Sequence, residues 1–200
     1  MDQVLRRRLL DLLEKDTRTR QQAAADGSLF QGYNEALRAV HNENAKALAE
    51  IVDAGDWPDK FQAGEDGATA AFLIVQHAIG LPNFMRACLD LMEEAAERGG
   101  VPRWQVALLT DRIRMLEGRP QVYGTQFDWT VDGKFEPLPI EEPETVDLRR
   151  TAAELVPMAQ AIELQRKENA EMGGSAPSPG AWLARQREFE AWAKAVGWRK

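Results

Sequence analysis

Apolar residues recur at three- and four-residue steps along most of the chain, a spacing that predicts amphipathic α-helices. The N-terminal leucines place a first helix over residues 2–25, and Asp26-Gly27 ends it. A second predicted helix covers residues 33–54 and carries an apolar stripe along one side. In a third, residues 67–79, the segment 70–75 is apolar on every side, so we expect this helix to be central and buried.

Prolines and glycines mark the ends of the next helices, because proline favours the first helical turn and glycine the position after the last. They delimit a fourth helix from Pro82 to Gly99-Gly100 and a fifth from Pro102 to Gly118. Helical spacing resumes near residue 144, is broken at Pro157 and continues to about residue 172.

One segment departs from the helical pattern. From Tyr123 to Val131 the residues alternate in polarity, which predicts a β-strand. Asp132-Gly133 then predicts a two-residue hairpin turn, followed by a short return strand over residues 134–136. The predicted fold is therefore mainly α, a bundle of about seven to eight helices with one small β-hairpin near residues 122–136.

The C-terminal part of the chain changes in composition. Residues 173–180 are rich in glycine, serine and proline, which is typical of a linker. Residues 181–200 carry tryptophans and other apolar residues on roughly one helical face. We therefore predict a single helical domain over residues 1–172, a linker over 173–180 and an amphipathic helix over 181–200.

Composition excludes several classes of partner. A net charge of −7 and a pI near 5.0 do not supply the positive field that a nucleic-acid surface needs. The single cysteine, Cys88, cannot form an intramolecular disulfide, which favours a reducing compartment. Neither a signal-peptide core nor an apolar stretch of ~20 residues is found. We expect a cytoplasmic protein with no nucleic-acid partner and no transmembrane segment.

Two polar pairs fall where the pattern predicts buried side chains. The inner stripe of the second helix includes His41 and Asn44. Gln76 and His77 end the apolar run of the third helix, so at least one of them points into the protein. Buried imidazole and amide groups need hydrogen-bond partners, and histidine also acts as an acid, a base or a ligand. These residues form either a satisfied core network or part of a site.

A second polar group lies farther along the chain. Asp111 and Arg112 interrupt the apolar pattern of the fifth helix, where an aspartate can orient a histidine and an arginine can bind an anion. Gly124 beside Tyr123 permits close approach of backbone or ligand, and Gln126 offers donors and an acceptor. The structural alternatives are an ion pair at the core edge and a hairpin packed on the helices.

The order of these motifs resembles an uncharacterised bacterial family of helical proteins, classed as a domain of unknown function. The resemblance covers roughly residues 35–160, and its most specific elements are Gln-His-Ala from residue 76 and Tyr-Gly-Thr-Gln from residue 123. It implies no reaction, cofactor or partner. Because it extends to polar side chains, it does imply that a set of them acts together: His77, Asp111, Arg112, Tyr123 and Gln126.

The first functional hypothesis is a small-molecule-binding protein or a small hydrolase-like enzyme. Its pocket would lie between the third and fifth helices, with the hairpin closing it. His77 would be the acid or base and Asp111 would orient it. The predicted ligand-binding residues are Gln76, Arg112, Tyr123, Gln126, His41 and Asn44. The preferred form uses no metal or other cofactor, and a metal variant would use His77, His41 and one carboxylate.

The alternative hypothesis is a non-catalytic protein-interaction module. In it, the motif residues form a structural core network, and the C-terminal helix docks on its own body, a second copy or a partner. Residues 181–200 contain five basic and two acidic residues, which gives them a net charge of +3. Because the whole chain has a net charge of −7, residues 1–180 have a net charge of −10. This difference in charge favours docking of the helix on an acidic surface.

Overall fold

The computed structural model describes residues 1–28 and 33–200, and the described residues form eight α-helices and one two-stranded sheet. This confirms the prediction of a mainly α fold with a small β-hairpin. The chain divides into two compact units, Met1–Pro102 and Arg103–Lys200. In the described part of the chain, no helix combines the length and the apolar character that crossing a bilayer requires.

The first unit consists of four helices: α1 Gln3–Ala25, α2 Glu35–Asp53, α3 Lys60–His77 and α4 Pro82–Glu97. Helix α1 packs against both α2 and α3. Apolar side chains between the helices form the core of the unit, and the largest fully buried ones include Trp57, Leu9, Leu48, Ile74, Met85 and Met92. Most of α3 is buried, as its continuous apolar run predicts.

Helix α3 begins earlier than its sequence pattern predicts. The Asp59 carboxylate caps it by accepting hydrogen bonds from the amides of Phe61 and Gln62, at 2.8 and 3.1 Å. Gly64 then adopts a left-handed φ of 74° and kinks the helix. The predicted helix over residues 67–79 corresponds to the part beyond this kink, which ends at His77.

The second unit contains the hairpin and four helices: α5 Arg103–Leu116, β1 Phe127–Trp129, β2 Phe135–Pro137, α6 Val146–Ala152, α7 Met158–Glu171 and α8 Pro179–Ala195. A single 3-10 turn, Pro143–Thr145, leads into α6. The predicted break at Pro157 separates α6 from α7, since proline cannot donate a helical hydrogen bond.

The hairpin is shorter than predicted and its turn is longer. Strands β1 and β2 pair antiparallel, with Trp129 opposite Phe135. The Thr130 amide donates to the carbonyl of Lys134 at 2.8 Å, which leaves three residues, 131–133, in the turn. The prediction of a two-residue turn is therefore wrong, because Gly133, at φ 78°, serves as the left-handed third residue of a longer turn.

The C-terminal helix α8 packs within its own unit. The Trp182 indole donates to the Trp129 carbonyl at 2.6 Å, and Arg185 forms an ion pair with Asp128 at 2.7 Å. After the helix, Arg199 Nε donates to the Leu116 carbonyl at 2.9 Å. These contacts tie residues 179–200 to the hairpin and to the end of α5.

Candidate functional site

Three side chains from three helices of the first unit meet around one carboxylate. Asp16 lies on α1, His41 on α2 and His77 at the last position of α3. Asp16 Oδ2 is 2.5 Å from His77 Nδ1, and Asp16 Oδ1 is 3.3 Å from His41 Nε2. The two imidazole centroids are 5.2 Å apart. We call these residues the Asp16–His41–His77 cluster.

The carboxylate of the cluster is buried, and the imidazole of His77 is partly exposed to solvent. Asp16 is 1% exposed and His41 is also buried, whereas the side chain of His77 is 26% exposed. Burial raises the pKa of Asp16, but contacts with His41 and His77 outweigh it and hold that pKa well below its usual range. Asp16 is therefore an anion inside the protein, with access to solvent through His77.

Tyr33 extends the cluster beyond His41. Its hydroxyl is 2.8 Å from His41 Nδ1, and the two rings stack with centroids 5.7 Å apart. Burial, followed by the charge of Asp16, raises the pKa of Tyr33 to about 12. The hydroxyl therefore keeps its proton at neutral pH and can donate it in a hydrogen bond to His41.

Two further residues predicted for the site lie in the same unit. Asn44 is buried, and its amide donates to the Leu12 carbonyl at 2.9 Å, one helical turn from the His41–Asp16 contact along both α1 and α2. Gln76 is also buried, next to His77 in α3. The structure thus brings His41 and His77 together, with Asn44 joining the two helices that carry Asp16 and His41.

Asp111 lies in the second unit and binds backbone rather than an imidazole. Its fully buried carboxylate accepts hydrogen bonds from the amides of Val122, Tyr123 and Thr125, at 2.7 to 3.2 Å. The carboxylate that contacts His77 is Asp16. The orienting role that sequence reasoning assigned to Asp111 stays a prediction, and in the described residues Asp16 occupies the position beside His77 that such a role requires.

The Tyr-Gly-Thr-Gln segment is a loop held by side chains, not the start of a strand. Besides Asp111, the buried Gln121 binds it, accepting from the Gln126 amide at 2.6 Å and donating to the Gln126 carbonyl at 3.0 Å. The buried Arg150 also binds the segment, and its guanidinium donates to the carbonyl of Tyr123 at 2.6 Å. Because these side chains form hydrogen bonds with the backbone N–H and C=O groups of the segment, strand β1 begins only at Phe127.

The remaining predicted ligand-binding residues belong to this second unit. Arg112 follows Asp111 on α5 and is half-buried, and Tyr123 is half-buried in the loop. Gln126 lines a cavity of about 540 Å³ whose wall also includes Phe127, Phe189 and Arg185. The structure places Asp111, Tyr123 and Gln126 around one loop, whereas His41 and His77 belong to the first unit.

Sequence reasoning missed Asp16 and Tyr33. A signal for Asp16 was present, because it follows Leu9 and Leu12 at helical steps and so continues the apolar stripe of α1. An acidic residue at such a position needs a partner, and that is the argument that singled out His41. Tyr33 begins the predicted second helix at a helical step before Leu37, but α2 starts only at Glu35, and the helical pattern did not indicate that the Tyr33 hydroxyl contacts His41.

The comparisons with known proteins identify a family but no characterised relative. No curated protein and no solved structure matches the chain. The sequence profile of the family of unknown function DUF6624 matches residues 3–171, which include the whole Asp16–His41–His77 cluster and the loop bound by Asp111, but not α8. The chain therefore belongs to the DUF6624 family.

Proposed function

We propose that the protein is a small enzyme that activates water to hydrolyse a polar small molecule at the Asp16–His41–His77 cluster. The observation that carries this proposal is the 2.5 Å contact between a buried carboxylate and the Nδ1 of His77, a side chain that is 26% exposed. A carboxylate that holds one edge of an imidazole near solvent is the arrangement of a general base.

The chemistry follows from the two ring nitrogens of His77. When Nδ1 donates its proton to Asp16, the neutral ring carries a lone pair on Nε2. Nε2 accepts a proton from water as the water oxygen attacks the substrate, and Asp16 stabilises the imidazolium that forms. The imidazolium then returns the proton to the leaving group when its bond to the substrate breaks.

His41 and Tyr33 support this arrangement from the buried side. When the Tyr33 hydroxyl donates to His41 Nδ1, the neutral ring carries its proton on Nε2, facing Asp16. The carboxylate is thus held between two imidazoles, and only one of them is accessible to substrate. His77 keeps the role predicted for it, and His41 becomes a positioning residue.

The interaction-module alternative has less support. Its best surface was the C-terminal helix, and α8 packs through Trp182 and Arg185 on the hairpin of its own unit, the own-body docking that this alternative included, so these contacts do not call for a second copy or a partner. The Asp16–His41–His77 cluster, in contrast, combines a buried anion with a partly exposed imidazole, a combination that a core network does not need. We therefore carry the enzyme proposal forward.

A panel of chromogenic substrates tests the proposal. We would measure hydrolysis of p-nitrophenyl acetate, butyrate and phosphate by the parent, H77Q and D16N. General-base catalysis typically contributes ~10²–10⁴-fold, so we expect each variant to lose at least about 100-fold of the rate on whichever substrate the parent turns over.

The matched control is E50Q, which removes an exposed carboxylate on α2 that pairs with Arg8. This variant should hydrolyse the substrate at the parent rate. A parent that is no faster than buffer on all three substrates contradicts the proposal, and so does an H77Q rate equal to that of the parent.

A further inference from the structure

We infer that Asp16, His41 and His77 together bind one divalent transition-metal cation, with Zn²⁺ as the best-fitting ion. The inference deepens the proposed function and rests on it for the catalytic role of the metal, but metal binding itself can be tested separately. Two imidazole nitrogens and one carboxylate oxygen form the usual donor set of a catalytic zinc centre.

The spacing of the donor atoms fits such an ion. One ligand atom from each of the three residues can be chosen so that all lie within 4.8 Å of one another. Zinc bonds of 2.0–2.1 Å place tetrahedral ligand atoms about 3.3 Å apart. The separation of Asp16 Oδ1 and His41 Nε2 is already 3.3 Å. Small side-chain rotations therefore convert the hydrogen-bonded cluster into a ligand set.

The carboxylate supplies a second, independent reason. Within residues 1–28 and 33–200, Asp16 has no lysine or arginine partner, and its buried Oδ1 lies 3.3 Å from His41 Nε2 without a well-formed hydrogen bond. A buried carboxylate oxygen with such a poor contact is costly, because it loses hydration and gains little in return. A cation between Oδ1 and the two imidazoles would compensate for this cost.

Tyr33 is placed to support a metal-bound His41. When Nε2 of a histidine binds a metal, Nδ1 carries the proton and donates it to an outer partner that fixes the ring. The Tyr33 oxygen is 2.8 Å from His41 Nδ1 and can accept that proton. We therefore expect Y33F to bind Zn²⁺ about 10–100-fold more weakly than the parent.

A metal held by three protein ligands keeps a coordination position for water or substrate. Such an ion lowers the pKa of its bound water and polarises the bond that is attacked. The exposed part of His77 marks the side from which substrate would approach. In this form of the proposed enzyme, Asp16, His41 and His77 would hold the cation, and the cation would supply the activation of water in place of His77 acting as a general base.

Isothermal titration of chelator-treated, tag-free protein with Zn²⁺ tests the inference. The chain has only two histidines and one buried cysteine, so competing zinc sites with nitrogen or sulfur donors are not expected. We expect one Zn²⁺ per chain, binding at least about 100-fold more weakly in D16N, H41Q and H77Q. The control D11N, on the exposed side of α1, should bind like the parent.

Imidazole ¹⁵N spectra give a readout that does not depend on activity or on the variants folding. With two histidines in the chain, Zn²⁺ should shift the nitrogen signals of both rings in the parent. A parent that binds no Zn²⁺, a D16N variant that binds as tightly as the parent, or unshifted imidazole signals would overturn the inference.

The two proposals fail in different ways. Hydrolysis that persists in chelator-treated protein, together with no zinc binding, leaves the proposed function standing and overturns the metal site. Zinc binding that requires all three residues, together with no hydrolysis of any substrate, establishes the metal site and overturns the hydrolytic function.

Discussion

At the scale of single residues, two buried aspartates of this chain have different surroundings. Asp16 contacts two imidazoles and keeps one oxygen without a hydrogen bond in the described residues, whereas both oxygens of Asp111 accept backbone amides. A carboxylate whose partners are all backbone amides stabilises structure, and one beside titratable side chains is suited to chemistry. The hydrogen bonds of Asp111 hold the loop backbone, and Asp16 is the carboxylate that contacts His77 in the candidate site.

Replacing Asp111 should destabilise the protein markedly. D111A leaves the amides of Val122, Tyr123 and Thr125 without their acceptor. An unpaired amide costs about 1–3 kcal/mol when it is buried, and these three belong to half-buried residues that water partly reaches, so we expect the free energy of unfolding to fall by about 2 kcal/mol or more. Urea denaturation measures it. The exposed-turn variant D132A should change stability by less than about 0.5 kcal/mol, and equal losses in both would contradict the assignment.

Cys88 should be unreactive in the folded protein. Burial, and then the charge of Asp53, raises the pKa of its thiol to about 12. The reactive form is the thiolate, and at pH 8 roughly one thiol in ten thousand would be ionised. We expect a thiol-specific disulfide reagent to label the protein only after denaturation. Rapid labelling of the native protein at pH 8 would contradict this, and the same sample in 8 M urea serves as the positive control.

At the scale of elements, the loop between α5 and β1 is held in place by side chains that bind its backbone. Its backbone groups are bound by Asp111, Gln121 and Arg150. Alternation of polar and apolar residues predicted a strand from Tyr123, but strand pairing requires the same backbone amides that these side chains bind. The periodicity was present in the sequence, but the competing hydrogen bonds come from side chains 5 to 27 residues away, which the alternation of polar and apolar residues does not reveal.

Gly124 is a position of this loop where an added Cβ would be crowded and the backbone strained. Its φ is 69°, and a Cβ there would lie 2.6 Å from Ile140 Cδ1 and 2.9 Å from Met158 Sδ. We expect G124A to lower the free energy of unfolding by about 1–3 kcal/mol, chiefly through backbone strain, because the contacting atoms are the ends of flexible side chains that can shift. Chemical denaturation measures the difference.

The control for this variant is G173A, where φ is 74° but no atom lies within 4 Å of an added Cβ. It isolates the conformational part of the cost, which should be about 1 kcal/mol. If G124A and G173A lose the same stability, close packing at Gly124 contributes nothing.

At the scale of the whole molecule, most elements follow from the sequence because helical periodicity and its proline and glycine boundaries are local signals. The buried α3 and the break at Pro157 are confirmed for that reason. The sequence predicted only part of the candidate site. His41 and His77 lie on predicted inner faces, but their contact with Asp16 depends on how α1 packs on α2 and α3. No local pattern encodes such packing.

The same limit explains why Asp111 was assigned to His77. A histidine and an aspartate in buried positions are a plausible pair on chemical grounds alone. Choosing between two buried aspartates requires knowing which helices adjoin, and that information is tertiary. That Arg112 and Gln126 bind a ligand stays a prediction, with Gln126 at the wall of a cavity.

Removing the segment beyond the family match should weaken the second unit. A chain that ends at residue 174 lacks the contacts of Trp182 with Trp129 and of Arg199 with Leu116. Losing two hydrogen bonds and the apolar packing around them costs about 2 kcal/mol or more, so we expect the Tm to fall by at least about 5 °C. Differential scanning calorimetry checks this. R187A, an exposed α8 variant, should melt with the parent, and a truncated chain that does the same would show that α8 is dispensable.

The carboxylate of Asp111 occupies a position where a free anion could otherwise bind the loop amides. Loops that present several backbone amides to one point commonly bind phosphate or sulfate from solution. Here the anion is covalently tethered to the adjacent helix, so its local concentration is fixed and dilution cannot remove it. The loop amides are therefore always occupied by the Asp111 carboxylate. Adding phosphate or sulfate to the buffer should not change the conformation of the loop.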